Sequence, residues 1–242
     1  MEKKAFIGFL VGDEGVEDYA DALVKGGVNL LEIGLPFSDP VADGPVIQNA
    51  AHSAIQNGTT PHKVLERIER IKKRTNVPVV LFSYFNPLLK LGKPFVTEMK
   101  KRGCDGVLIV DLPLEEAGEY LAWVHEAGLD SIFVASPSTP LERIEKLSQA
   151  SSGFLYYACQ KGTTGKRDDL PIEIIQRLEA IKEKCPLPVA VGFGISKRKQ
   201  AADLLKVADG FIVGSAFVEK AFAKCDPKTL TELARSIDPR SP

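Results

Sequence analysis

The chain has 242 residues, 44% of them apolar, and its 31 basic and 32 acidic side chains leave a formal net charge of −1. A chain of this composition can bury an ordinary hydrophobic core, so we expect a folded domain and not a disordered one. The near-neutral charge excludes a field that would attract nucleic acid, and no apolar run reaches the roughly 18 residues that a membrane span requires.

Short runs rich in valine, isoleucine, leucine and phenylalanine recur along the chain, each followed by a stretch with apolar residues at helical spacing. The runs predict eight strands, at residues 6–11, 29–35, 77–82, 106–110, 131–135, 153–159, 187–192 and 209–213. The stretches between and after them predict helices at residues 15–26, 46–74, 93–102, 114–127, 140–150, 171–184, 197–207, 215–224 and 227–236.

Strands that are apolar on both faces and alternate with helices are typical of a parallel sheet covered by helices. Eight such units in about 240 residues predict an α/β fold of the (β/α)8 or TIM-barrel type. No linker divides the sequence, so we expect residues 1–242 to form one domain. The first predicted strand begins at residue 6, so we also expect a barrel with a shortened N-terminus, in which only a few residues precede that strand. In such barrels the reactive groups lie at the C-terminal ends of the strands.

Two carboxylates in the second unit are candidates for acid–base chemistry. Glu32 stands inside an apolar strand, where burial would raise its pKa toward the range useful for proton transfer near neutral pH. Asp43 lies on the long loop that follows this strand. Taken alone, Glu32 is as well explained as a structural glutamate with a polar neighbour, and Asp43 is better explained as a solvated turn residue.

Glycine-rich turns end the last two predicted strands, at residues 192–196 and 214–216. Glycine at such a turn lets the backbone approach a ligand, and the N-terminus of the following helix favours an anion. Either turn alone could simply be tight, but loops after strands seven and eight are the recurrent phosphate site of these barrels. A dinucleotide fingerprint is not met, because Lys197 stands where its third glycine should be.

The loop at residues 160–170 has two glycines and two threonines, which suit either a flap that closes over a ligand or a plain solvated loop. The four cysteines are far apart and form no CxxC pair, so we expect neither a disulfide framework nor a metal site. With no secretory cleavage site near the N-terminus, we expect a cytoplasmic protein.

Together these segments resemble the alpha-subunit family of tryptophan synthase. Residues 31–45, LEIGLPFSDPVADGP, carry most of the resemblance. The segments YFNP at 84–87, DLP at 111–113, GFGIS at 192–196 and GSA at 214–216 follow in the order of the family. The resemblance therefore extends over nearly the whole chain.

The resemblance implies a (β/α)8 barrel that cleaves indole-3-glycerol phosphate into indole and glyceraldehyde 3-phosphate without a metal or organic cofactor. It implies that Glu32 is the general acid/base, which protonates the indole ring carbon and assists removal of the side-chain hydroxyl proton. Asp43 would accept a hydrogen bond from the indole N–H. A retro-aldol step needs a leaving carbon that can accept an electron pair, and protonating the ring provides one.

The resemblance also assigns binding residues and a partner. The substrate-binding positions are Tyr84, Tyr156, Thr164 and Phe193 around the indole and flap, and Gly165, Gly194, Gly214 and Ser215 at the phosphate. A beta subunit that carries pyridoxal phosphate would receive the indole, in an alpha2beta2 heterotetramer. The positions implied at that interface are Pro36, Asp39, Asn86 and Asp111.

Two other functions stay open. One is a weakly active or inactive alpha-like subunit that chiefly activates the beta chain allosterically. The other is a different phosphate-binding barrel, such as an isomerase of phosphoribosyl compounds. The paired glycine turns fit that isomerase, but the signature at residues 31–45 does not.

Overall fold

The structure, a computed structural model, describes residues 4–159, 171–192 and 194–240. Its strands are β1 (Ala5–Val11), β2 (Leu30–Gly34), β3 (Val79–Ser83), β4 (Gly106–Ile109), β5 (Asp130–Ile132), β6 (Val134–Ala135), β7 (Leu155–Ala158), β8 (Val189–Gly192) and β9 (Gly210–Val213). Its α-helices are α1 (Val16–Lys25), α2 (Pro45–Gln56), α3 (Pro61–Arg74), α4 (Phe85–Lys101), α5 (Gly118–Ala127), α6 (Leu141–Ala150), α7 (Ile172–Lys184), α8 (Arg198–Leu204), α9 (Ser215–Phe222) and α10 (Pro227–Ile237).

The strands form one parallel sheet in the order β5-β4-β3-β2-β1-β9-β8-β7-β6. Its two end strands, β5 and β6, are separated along the chain by Phe133 alone. They are therefore two parts of one fifth strand, and the backbone carbonyl of Phe133 still accepts a hydrogen bond from Tyr156 N at 3.1 Å. The sheet thus closes into an eight-stranded barrel, which confirms the predicted (β/α)8 fold.

The barrel has two apolar layers because successive strand residues point to opposite faces. Phe6 packs in the large outer cluster with the helices, whereas its neighbour Ile7 belongs to a separate cluster inside the barrel. In β2, Leu31 and Ile33 both belong to the outer cluster. The residue between them, Glu32, therefore directs its carboxyl group into the barrel.

Several predicted element boundaries differ from the structure. The helix predicted at 46–74 is two helices, because Thr60 caps a new helix at Lys63 N and Pro61 occupies its first position. A helical segment that begins at Phe85 was not predicted; it precedes the helix predicted at 93–102 and is separated from it by the non-helical residue Gly92. The fifth strand, predicted as continuous, is broken at Phe133.

Two aspartates join neighbouring strands at the N-terminal end of the barrel in the same way. Asp105, before β4, accepts hydrogen bonds from Val79 N at 2.8 Å and from Lys72 Nζ at 2.9 Å. Asp209, before β9, accepts from Val189 N at 2.8 Å and from the ammonium group of Lys182. Burial opposes ionisation of Asp209, but these hydrogen bonds outweigh it and hold the pKa of Asp209 below its usual value.

Replacing Asp209 with asparagine should lower the free energy of unfolding by about 1–2 kcal/mol at pH 7, because charge-assisted hydrogen bonds are lost. A lowered carboxyl pKa stabilises the fold above the pKa of the unfolded chain, so the difference should shrink as pH falls below about 4. Urea unfolding at pH 7 and pH 3 measures it. Asp21→Asn, which removes only a surface pair with Lys25, is the control, and equal losses in both variants would contradict a special role for Asp209.

Candidate active site

A cavity of about 370 Å³ opens at the C-terminal ends of the strands. This volume is within the usual range for small-molecule sites. Glu32 and Asp43 both line it, together with Tyr156, and glycines from the ends of the last two strands lie at its rim. Its apolar wall is formed by Phe9, Phe82, Val110, Val134 and Ile212. The cavity thus combines an apolar wall with two carboxyl groups.

Glu32 is the buried acid of this cavity. It is only 1% exposed, and β2 holds it in register between Phe9 of β1 and Val80 of β3. Among the described residues, no group hydrogen-bonds to its Oε1 atom. Burial raises the pKa of Glu32 to about 8, because a carboxylate would lose its hydration there. At neutral pH Glu32 is therefore mainly a neutral acid with a proton to donate.

Asp43 enters the cavity from the loop between β2 and α2. Its backbone N–H donates to Pro40 O at 3.0 Å, and Gln48 Nε2 donates to its carbonyl at 2.9 Å. Its carboxylate Oδ2 accepts a hydrogen bond from Tyr84 Oη at 2.9 Å. Burial raises the pKa of Asp43, and the hydrogen bond from Tyr84 partly opposes that rise. Asp43 therefore presents a fixed acceptor to the cavity.

The opposite rim is suited to an anion. Helix α9 begins at Ser215, directly after Gly214, and both residues line the cavity. The first N–H groups of a helix have no carbonyl partner within it, and the helix dipole adds positive potential there. Gly194, also on this rim, has a φ of +62°, a conformation that side chains rarely adopt. A phosphate group would find backbone donors here.

Gly192 gives Tyr156 its place in the wall. A Cβ atom at Gly192 would lie 2.5 Å from Tyr156 Oη, closer than van der Waals contact permits. Gly192→Ala should therefore push the Tyr156 ring into the cavity, and we expect about a tenfold weaker affinity for a glycerol-phosphate ligand. Titration calorimetry measures this. Gly118→Ala, where an added Cβ meets nothing within 4 Å, is the control, and unchanged affinity in Gly192→Ala would contradict the prediction.

The structure brings most of the predicted site residues together. Glu32, Asp43, Tyr156, Gly194, Gly214 and Ser215 all line the one cavity. Tyr84 lies behind the loop that carries Asp43 and is 2% exposed. The predictions for Thr164, Gly165, Phe193 and the flap at 160–170 lie outside the described residues.

The four positions predicted at a beta-subunit interface lie just after three neighbouring strands, three of them on loops and Asn86 in the first turn of α4. Pro36 is half-buried and Asp39 is exposed, and both follow β2. Asn86 and Asp111 are exposed and follow β3 and β4. Asp111 also has a local role, since its Oδ1 accepts a hydrogen bond from Phe85 N at 2.7 Å at the start of α4. Their contact with a partner stays a prediction.

The sequence did not single out the apolar wall of the cavity. Phe9 lies beside Glu32 in the sheet, and the Phe9 and Phe82 rings pack edge to face at 5.2 Å. Every strand is apolar on both faces, so hydrophobicity alone does not distinguish an inward residue. Alternate residues of a strand point to the same face. Once the strand register is known, counting every second residue from the neighbours of Glu32 identifies the apolar residues that face the cavity.

None of the helices in the described residues is long and apolar enough to cross a membrane. In the same part of the chain, no group of three or more His, Cys, Asp or Glu side chains could hold a metal ion.

Comparisons with known proteins point to one family. The family model described as "Tryptophan synthase alpha chain" matches residues 1–236. A tryptophan synthase alpha chain of Coxiella burnetii (strain CbuK_Q154) is 46% identical over 242 residues, 98% of this chain and 94% of that protein. One from Chlamydia caviae is 46% identical over 245 residues, 98% of this chain and 95% of that protein.

Solved structures agree with these matches. A mutant tryptophan synthase alpha-subunit from Pyrococcus furiosus superposes with a TM-score of 0.88 at 33% identity, over 98% of this chain and 99% of that chain. A chain from the X-ray structure of a tryptophan synthase complex of the same organism also superposes with a TM-score of 0.88. It is 32% identical, and the match covers 98% of this chain and 99% of that chain.

Proposed function

The chain belongs to the tryptophan synthase alpha chain family, and from this premise we propose that it cleaves indole-3-glycerol phosphate to indole and glyceraldehyde 3-phosphate. It is thus a carbon–carbon lyase. The observation that carries the proposal is the buried Glu32 carboxyl group, whose Oε1 has no partner among the described residues and which lines the same cavity as Asp43. Such a group is poised for proton transfer to a bound molecule.

The cavity suggests how the substrate lies. The indole ring lies against the apolar wall near Phe9 and Phe82, and the phosphate group binds at Gly194 and the N-terminus of α9. This orientation leaves the bond between the ring and the glycerol chain beside the carboxyl group of Glu32. It also directs the ring N–H toward Asp43.

Two proton transfers then cleave the bond. Glu32 donates its proton to the ring carbon that carries the glycerol chain, and Asp43 stabilises the positive charge that spreads to the ring nitrogen. The Glu32 carboxylate next removes the proton from the substrate hydroxyl group on the glycerol carbon next to the ring. The carbon–carbon bond breaks as the carbonyl of glyceraldehyde 3-phosphate forms. The electron pair of the broken bond returns to the ring, which gives indole. Glu32 ends in the protonated form in which it began.

We further propose that a tryptophan synthase beta chain binds the surface that carries Pro36, Asp39, Asn86 and Asp111 and receives the indole, in an alpha2beta2 heterotetramer. Three of these residues are exposed, and all four lie just after adjacent strands, which supports this. A single domain over residues 1–242 is supported by the direct pairing of β1 with β9. A cytoplasmic location is supported by the four free cysteines, which suit a reducing compartment.

The test is to incubate the purified chain with indole-3-glycerol phosphate, alone and with a beta chain, and to measure indole and glyceraldehyde 3-phosphate. We expect both products in equal amounts without added metal or cofactor, and faster release when the beta chain is present. No product in either condition, with the beta chain still activated, would instead favour the regulatory subunit.

A further inference from the structure

Tyr84 contacts the loop that carries Asp43 through both its hydroxyl group and its ring. We propose that Tyr84 is a positioning residue that fixes the Asp43 carboxylate in the orientation needed to accept the indole N–H. This inference rests on the proposed lyase function and assigns Tyr84 a role different from contact with the substrate. It concerns the alignment of Asp43 and not the identity of the acid Glu32.

The Tyr84 hydroxyl group makes two hydrogen bonds to consecutive residues. Its Oη donates to Asp43 Oδ2 at 2.9 Å and accepts from Ala42 N at 3.0 Å. A phenol group has one proton to donate, and here the Asp43 carboxylate receives it. Tyr84 therefore has no proton left for a substrate, while the same oxygen holds the peptide just before Asp43.

The Tyr84 ring is held as firmly as its hydroxyl group. Tyr84 is 2% exposed and follows β3 directly. Its ring centroid lies 5.2 Å from that of Phe37, which belongs to the same loop as Asp43. On its other side, Phe85 N is hydrogen-bonded to Asp111. Tyr84 thus links the rigid end of a strand to both the beginning and the end of the loop.

Hydrogen bonds with Pro40 and Gln48 hold the backbone of Asp43, but they do not orient its carboxylate at the exposed tip of the loop. Val41 is 82% exposed, and Ala42 and Gly44 are also exposed. Among the described residues, Tyr84 provides the hydrogen bond that the Asp43 carboxylate accepts. Without it the carboxylate could turn toward solvent, at little cost to the fold because the ring packing against Phe37 would remain.

Misalignment of Asp43 should affect turnover more than substrate binding. The indole N–H becomes a stronger donor as the ring gains a proton, so the contact with Asp43 strengthens toward the transition state. The hydrogen bond from Tyr84 also lowers the pKa of Asp43 against the effect of burial. Its loss should therefore move the acid limb of the pH–rate profile to higher pH.

The experiment uses the full chain saturated with beta chain and the variant Tyr84→Phe, which removes only the hydroxyl group. We expect kcat to fall about 10- to 100-fold, KM to change less than about threefold, and the acid limb of kcat to move upward. In an Asp43→Asn background, adding Tyr84→Phe should change kcat less than about twofold, because the group that Tyr84 orients has lost its charge.

Tyr120→Phe is the matched control. Tyr120 is also buried, and its hydroxyl has no partner among the described residues, so kcat should not change. Thermal unfolding of each variant checks the fold. Unchanged kcat and pH profile in Tyr84→Phe would overturn the inference. So would a rise in KM alone, or an equal effect in the Asp43→Asn background, since either indicates direct substrate contact.

The same experiment separates this inference from the lyase function. If the unsubstituted chain released no indole, the proposed function would fail before any variant was compared. If it released indole and Tyr84→Phe did so at the same rate, only the role of Tyr84 would fail.

Discussion

Glu32→Gln should abolish indole release, with kcat at least about 10³-fold lower than in the unsubstituted chain. The amide keeps the shape of the side chain but cannot give a proton to the indole ring. The substrate phosphate should still bind at the rim near Ser215, because that contact is made by backbone groups across the cavity. The prediction is therefore a loss of kcat with the affinity for a glycerol-phosphate analogue unchanged.

The measurement compares steady-state indole release and analogue affinity in both proteins, each with beta chain present. Glu17→Gln is the matched control, since Glu17 is also buried but pairs with Arg70 in the outer layer at 2.6 Å. Its kcat should stay within about twofold of the unsubstituted chain. Full turnover in Glu32→Gln would rule out Glu32 as the acid, and loss of analogue binding would mean that the substitution disturbs the whole cavity.

The sequence revealed Glu32 because a carboxyl group inside an apolar strand is chemically exceptional. It pointed to the cavity rim at Gly194 and Gly214 because glycine-rich turns come at the ends of the last two predicted strands. Both signals are local in the chain. The (β/α)8 fold was predictable for the same reason, since each strand and helix has its own short pattern.

Contacts between distant segments could not be predicted in this way. The hydrogen bond from Tyr84 to Asp43 joins residues 41 apart, and it depends on how a long loop folds back. The similar roles of Asp105 and Asp209 depend on which backbone N–H groups lie opposite them. The predicted helix boundaries were wrong where a capping residue or a proline starts a new helix within a continuous apolar pattern, as at Thr60 and Pro61.

The buried acid should also make the stability of the protein depend on pH. Burial raises the pKa of Glu32 from 4.5 to about 8. Between these values the folded chain holds a proton that the unfolded chain has lost. A raised carboxyl pKa therefore lowers the free energy of unfolding progressively as pH rises from about 4.5 to about 8. Glutamine does not ionise, so Glu32→Gln should escape this loss.

Urea unfolding of both proteins from pH 5 to pH 9 tests this expectation. The variant should gain stability over the unsubstituted chain as pH rises, by roughly 4 kcal/mol across this range at about 1.4 kcal/mol per pH unit. Glu69→Gln is the control, because hydrogen bonds from Lys73 and Arg102 hold the pKa of Glu69 at about 2. The Glu69 carboxylate is ionised in both the folded and the unfolded chain above pH 5. The difference in free energy of unfolding between Glu69→Gln and the unsubstituted chain should therefore not change with pH. A flat difference for Glu32→Gln as well would mean that the cavity accepts the Glu32 carboxylate in its charged form, and the proton needed for the indole ring would then have to come from elsewhere.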